Sequence, residues 1–256
     1  MIGAIIGDIA GSRFEFNNTH NYNFKLFHKD CSYTDDTICT VAVADAILRG
    51  VSYKDSLLHW CRKYPHPMGA YGGSFSRWLH EDDPQPYNSF GNGAAMRVSP
   101  VAWAFDNMSD IIRNAIMSAE CSHNHCEGLM GAMAVVELIY NYRQMPSVGG
   151  FADIIGRRYY GALWECNLPQ PGVFNETCQG CVPLAFHIVK ESNSFEDAVR
   201  NAVSYGGDSD TLGAIVGSIA EARWGVPIEM QKMALNMLPQ DMLKVVINFI
   251  QKYQSQ

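Results

Sequence analysis

The chain has 256 residues, 47% of them hydrophobic and 18% charged, enough to bury one large core. A formal charge of -7 and the lack of any Lys/Arg cluster exclude a protein that grips nucleic acid through its phosphate backbone. No linker, repeat or low-complexity tract divides the sequence, so a single domain over residues 1–256 is expected.

The opening stretch MIGAIIGDIAG has no basic leader and holds Asp8 inside its apolar run, so it does not read as a secretory signal. Gly3, Gly7 and Gly11 fall four apart, the spacing of a helix face that packs tightly on a neighbour. After an irregular stretch over 13–33, YTDDTICTVAVADAILRG reads as a helix with Thr34, Asp35 and Asp36 at its start and Gly50 at its end.

Residues 64–75 and 82–93 are again irregular and rich in Gly, Asn, Pro and aromatics, as functional loops often are. A helix is expected from near Ser109, and another in HCEGLMGAMAVVELIYNYR. The apolar part of the latter is interrupted by Glu137 and too short to span a bilayer, so a soluble, cytoplasmic protein is expected.

Eight cysteines without a signal sequence read as reduced thiols rather than a disulfide frame. Neither Cys178 and Cys181 in CQGC nor CSHNHC over 121–126 supplies the two ligand pairs of a structural zinc, and CQGC reads as a helix start with buried thiols. Beyond a last irregular stretch over 168–179, NSFEDAVRNAVSYGG and SDTLGAIVGSIAEARWG repeat the pattern of polar start, apolar face and Gly-containing end. Alternating strand-like runs are scarce, so the fold is expected to be all-α.

Acids at a helix start are ordinary, because they interact favourably with the exposed N–H groups and the dipole. Two such starts, Thr34-Asp35-Asp36 and Asp208 with Asp210 and Thr211, suggest a shared site. Four carboxylates that met there could not all ionise without cations. Carboxylate and hydroxyl oxygens suit Mg²⁺, Mn²⁺ or Ca²⁺, and two ions could be held. An EF-hand is excluded, since Leu212 and Ile219 stand where its loop needs oxygen ligands. GxSxG, a Walker lysine and HExxH are missing, and Met96 breaks the dinucleotide fingerprint after GNG.

The ordered set GAIIGDIAGSRFEF, YTDDT, YGGSF, SFGNGAAMRVSP, SHNHCEG and GGDSDTLGAIVGSIAEA resembles the ADP-ribosylglycohydrolases over nearly the whole chain. The resemblance implies a compact orthogonal helical bundle with a dinuclear metal cleft. It implies that Thr34, Asp35, Asp36, Asp208, Asp210 and Thr211 hold two Mg²⁺ or Mn²⁺ ions. The implied activity is cleavage of the bond between the distal ribose of ADP-ribose and an acceptor, reversing ADP-ribosylation. Asp35 or Asp36 would take a proton from water, and Glu15 matches a family acid that assists catalysis.

Glycine-rich turns can bind a pyrophosphate through backbone N–H groups, which directs attention to Gly72, Gly73, Gly91 and Gly93, with Ser89 and Asn92 adding side-chain hydrogen bonds. Phe90 matches a family aromatic near the adenosine, with Tyr71 or Tyr87 as other stacking faces, and His123 aligns with a ligand-contacting histidine. The acceptor stays open: a protein side chain, a nucleic-acid base or a small ester. A catalytically silent ADP-ribose binder and a two-metal nucleotide phosphohydrolase are the alternatives. The chain is short for the family, so no one member's acceptor is transferred.

Overall fold

The computed structural model describes residues 1–254. It runs α1 (Ile2–Gly11), a 3-10 turn Ser12–Phe14, α2 (Asp35–Arg49), α3 (Tyr53–Lys63), α4 (Gly73–His80), α5 (Gly93–Met96), α6 (Ser99–Ala104) and α7 (Met108–Glu120). The second half holds α8 (Cys126–Gln144), α9 (Phe151–Tyr160), α10 (Cys178–Glu191), α11 (Phe195–Tyr205), α12 (Ser209–Trp224), α13 (Ile228–Leu235) and α14 (Gln240–Tyr253). Among the described residues the only extended pairing is two isolated bridges, Thr34 with Met68 and Gly91 with Thr177, so the fold is all-α as expected.

The local starts and stops follow the side chains. Thr34, Ser52, Asn107, Thr177 and Ser194 each accept a backbone N–H from the first turn of the helix they precede, an arrangement worth about 1 kcal/mol per cap. Gly50 ends α2 at φ 66°, the left-handed conformation that glycine adopts without strain. The helix expected from Ser109 begins one residue earlier, because the Asn107 side chain takes the Asp110 N–H. His125, in a stretch weighed for zinc, caps α8 by accepting from Glu127 N–H at 3.1 Å.

At the centre, α1 and α12 run antiparallel with their backbones in contact. A Cβ on Gly213 would lie 2.5 Å from the Gly7 carbonyl oxygen, and one on Gly3, Gly7, Gly11 or Gly217 would overlap the facing backbone outright. Every residue of α1 is buried, as is every residue of α12 from Ser209 to Ala222, and α2, α8, α10 and α11 pack around this pair. The pairing of Gly3 with Gly217, Gly7 with Gly213 and Gly11 with Ser209 brings the end of α1 to the start of α12.

Backbone this close leaves no room for a methyl group, and overpacking of this kind costs about 3 kcal/mol or more. Gly7→Ala is expected to lower the unfolding midpoint in urea accordingly. Gly150→Ala, at a position with nothing within 4 Å of the added carbon, is expected to change it little.

Candidate functional site

Two acidic helix starts and the end of α1 form the floor of one cleft. Thr34 caps α2 from an extended backbone, its hydroxyl accepting the Asp36 N–H at 3.2 Å, so Asp35 and Asp36 occupy the first turn. Asp208 holds the equivalent place before α12, followed by Asp210 and Thr211. The Thr211 hydroxyl donates to Asp36 Oδ2 at 3.1 Å and joins the two starts directly.

Asp8 lies beneath them, fully buried on α1. Its Oδ2 accepts the Thr34 and Thr37 N–H groups at 3.0 and 3.1 Å and the Thr37 hydroxyl, while its Oδ1 accepts the Thr34 hydroxyl at 2.8 Å. One oxygen each of Asp8, Asp36 and Asp210 lie within 4.8 Å of one another, and so do those of Glu15, Asp208 and Asp210. Asp210 is shared by both trios; Asp35 lines the same cleft but belongs to neither.

Burial, reinforced by the neighbouring charges, pushes the Asp35, Asp36 and Asp210 carboxyls well above the usual carboxylate range and raises Asp208 as well. Burial likewise pushes Glu15 up to about 7, with Asp208 and Asp8 adding to the effect, and Asp8 up to about 6. Asp36 Oδ1, Asp210 Oδ1 and Glu15 Oε2 are buried with no hydrogen-bond donor. Orphaned carboxylate oxygens crowded in this way fit a hard divalent cation, which would replace the protons the cluster otherwise retains.

Above this floor the cleft encloses about 640 Å³, and every residue expected to contact substrate lines it. Gly72 and Gly73 begin α4 with no side chain capping the first-turn N–H groups, which suits an anion. Ser89 Oγ accepts the Gly91 N–H at 3.1 Å and shapes the second turn. Phe90 is 44% exposed at the rim, while the Tyr71 hydroxyl donates to the Tyr64 carbonyl at 2.8 Å and leaves its ring 5.8 Å from Phe75.

Asn92 lines the cleft and has a second engagement within the protein. Its N–H donates to the Glu176 carbonyl at 2.7 Å and its side-chain amide to Asp208 Oδ2 at 2.6 Å, so it holds the acid in place. His123 is buried below Gly91 and Gly93 with Nδ1 2.8 Å from Ser122 Oγ, and burial together with Arg97 keeps its pKa well below the usual value. Arg97 itself, 1% exposed, donates to the Ser118 carbonyl and Ser122 Oγ at 3.0 and 2.8 Å and puts a positive charge in the cleft wall.

The sequence profile of ADP-ribosylglycohydrolases matches residues 1–246. The chain belongs to the ADP-ribosylglycohydrolase family. It is 23% identical to human ADP-ribosylhydrolase ARH3 and 24% identical to the ADP-ribosyl-[dinitrogen reductase] glycohydrolase of Rhodospirillum rubrum; each match covers 88% of this chain and 84% of the relative. It is 23% identical to the ADP-ribosylarginine hydrolase Tri1 of Pseudomonas putida, over 88% of this chain and 70% of that protein. A solved ADP-ribosylglycohydrolase-related protein complex superposes with a TM-score of 0.70 at 21% identity, over 98% of this chain and 96% of that one, and shows the same fold.

In this ADP-ribosylglycohydrolase the acidic floor is where the two acid-bearing motifs meet. Of the residues expected there, Thr34, Asp36, Asp208, Asp210 and Thr211 converge on it and Asp35 lines it. Glu15, expected as a catalytic acid, stands within reach of Asp208 and Asp210. Sequence reasoning missed Asp8, Arg97 and the bond from Asn92 to Asp208. For Asp8 the signal was present: one acid with no compensating cation in an otherwise apolar, glycine-spaced helix.

The raised carboxyls make cation binding and stability depend on pH. Acids whose folded pKa lies above the unfolded value retain protons the unfolded chain has released, so cation-free stability falls as pH rises through about 4 to 7. A divalent cation bound to these acids would offset that loss. The rise in melting temperature produced by Mg²⁺ or Mn²⁺ is therefore expected to be small at pH 5 and large at pH 8, measured by differential scanning fluorimetry against a chelator control.

Proposed function

We propose that the protein hydrolyses the glycosidic bond between the distal ribose of ADP-ribose and an acceptor, using two Mg²⁺ or Mn²⁺ ions held by Thr34, Asp35, Asp36, Asp208, Asp210 and Thr211. The observation that carries this reading is the meeting of the two acidic helix starts on the floor of a cleft, with Asp210 common to two carboxylate trios. When bound, the ions supply Lewis acidity toward the ribose hydroxyls and the attacking water. Names of the relatives, which include ADP-ribosylarginine hydrolase and dinitrogen reductase glycohydrolase, support a hydrolase of ADP-ribosylated acceptors.

The chain's own groups account for binding and proton movement. The N–H groups at Gly72 and Gly73, which no side chain caps, and that of Gly93 receive the pyrophosphate, near the Arg97 charge. Phe90, exposed at the rim, offers a face to the adenine. Cleavage develops positive charge at the anomeric carbon, which the carboxylates below stabilise.

Asp35 takes the proton from water: it faces the cleft, whereas Asp36 Oδ2 already accepts from Thr211. Glu15, over Asp208 and Asp210, assists by orienting the ribose. A cytoplasmic setting completes the proposal; among the described residues no helix is long and apolar enough to cross a membrane.

The test follows free ADP-ribose from arginine-, serine- and base-linked conjugates with Mg²⁺ or Mn²⁺. Wild-type protein is expected to release it from at least one conjugate, and Asp35→Asn to lower kcat by about 10²–10⁴-fold with little change in KM. Binding of ADP-ribose without release would favour a silent binder, release of AMP a nucleotide phosphohydrolase, and failure to bind would remove the reading.

A further inference from the structure

Asp8 has no role in the proposed chemistry, yet it is the most completely engaged acid beneath the cleft. An ionised carboxylate has about four lone-pair positions, and the Asp8 oxygens accept four hydrogen bonds, all from Thr34 and Thr37. Proximity alone would group Asp8 with Asp36 and Asp210 as a cation ligand. Three of those bonds saturate Oδ2 and the fourth ties Oδ1 to the Thr34 hydroxyl, so the strongest tie of Asp8 is to its threonine partners.

We propose that Asp8 is a positioning residue that sets the proton of the Thr34 hydroxyl, so that Thr34 presents a lone pair to the cation. This rests on the reading of Thr34 as a ligand. The Thr34 hydroxyl has one proton and two nearby carboxylate oxygens, Asp8 Oδ1 at 2.8 Å and Asp36 Oδ2 at 3.4 Å; the shorter contact takes it. One Thr34 lone pair accepts the Asp36 N–H at 3.2 Å, and the second is left for the cation. Asp36 Oδ1 likewise remains without a donor. Asp8 thus acts one shell out, as the partners that orient metal ligands commonly do.

An amide in place of the carboxylate reverses this polarity with little change of shape. In Asp8→Asn the oxygen can keep the Thr34 N–H, Thr37 N–H and Thr37 hydroxyl, because a nitrogen there would meet two backbone donors. The amide nitrogen then faces Thr34 Oγ1 and donates to it, occupying the lone pair meant for the cation. The Thr34 proton turns toward Asp36 Oδ2.

The experiment measures Mn²⁺ binding to the full-length protein without substrate, by titration calorimetry. Asp8→Asn is expected to weaken the Kd by about 10–100-fold while the cation-free melting temperature stays near wild type. Thr34→Val is expected to weaken it comparably, and the double variant no further than Thr34→Val alone, since both changes remove one interaction. Thr37→Val, which removes only a hydroxyl donor to Asp8, is expected to lower the melting temperature and keep the Kd. Should Asp8→Asn not fold, Asp8→Glu, which keeps the charge and displaces both oxygens by a methylene, reads the same loss.

A wild-type Kd in folded Asp8→Asn would overturn the proposal, as would additive losses in the double variant, which would make Asp8 a direct ligand. Wild-type protein that binds no Mn²⁺ would overturn both this inference and the two-ion reading beneath it.

Discussion

The antiparallel contact between α1 and α12, backbone against backbone over glycines, is the constraint on which the rest of the structure depends. Each of the five glycines in that seam faces backbone where a methyl group would have to sit. The contact brings the last turn of α1 to the first turn of α12, so Asp8 and Glu15 approach Asp208 and Asp210 although about 200 residues separate them. With Asp8 holding the start of α2 through Thr34 and Thr37, a packing decision made far from solvent determines where the acids meet.

Crowded negative charge has a different meaning at each scale. Within one helix, Asp35 and Asp36 beside the N–H groups of a first turn are favourable. Two such turns facing each other are not, and the raised carboxyls and orphaned oxygens record the conflict. A divalent cation would resolve it, and the walls have the opposite character: uncapped N–H groups at α4 and the buried Arg97 guanidinium bring positive potential into an acidic protein.

Much of this was legible in the residues. The start of α2 at the Thr34 cap and its end at Gly50 follow from short-range chemistry that neighbouring residues already contain. The glycine spacing announced close helix packing, and two acidic starts announced a shared site. Other features escaped because their partners lie far along the chain. Asn92, expected at the substrate, lines the cleft and also bonds Asp208, and His125 in CSHNHC proved to be the cap of α8. The buried Arg97 balances its donors against Ser118 and Ser122, which no local pattern specifies.

By itself the sequence determined the helical class, the extents of several helices, the family and the two acidic helix starts, because periodicity, capping and motif order are properties of nearby residues. Only the tertiary structure decided that Asp210 is shared between two trios, that Asp8 belongs to the site while Asp35 stands outside both trios, and that Asn92 serves an acid. Those relations depend on which backbone faces which, and that is set by close packing between segments nearly the whole chain apart.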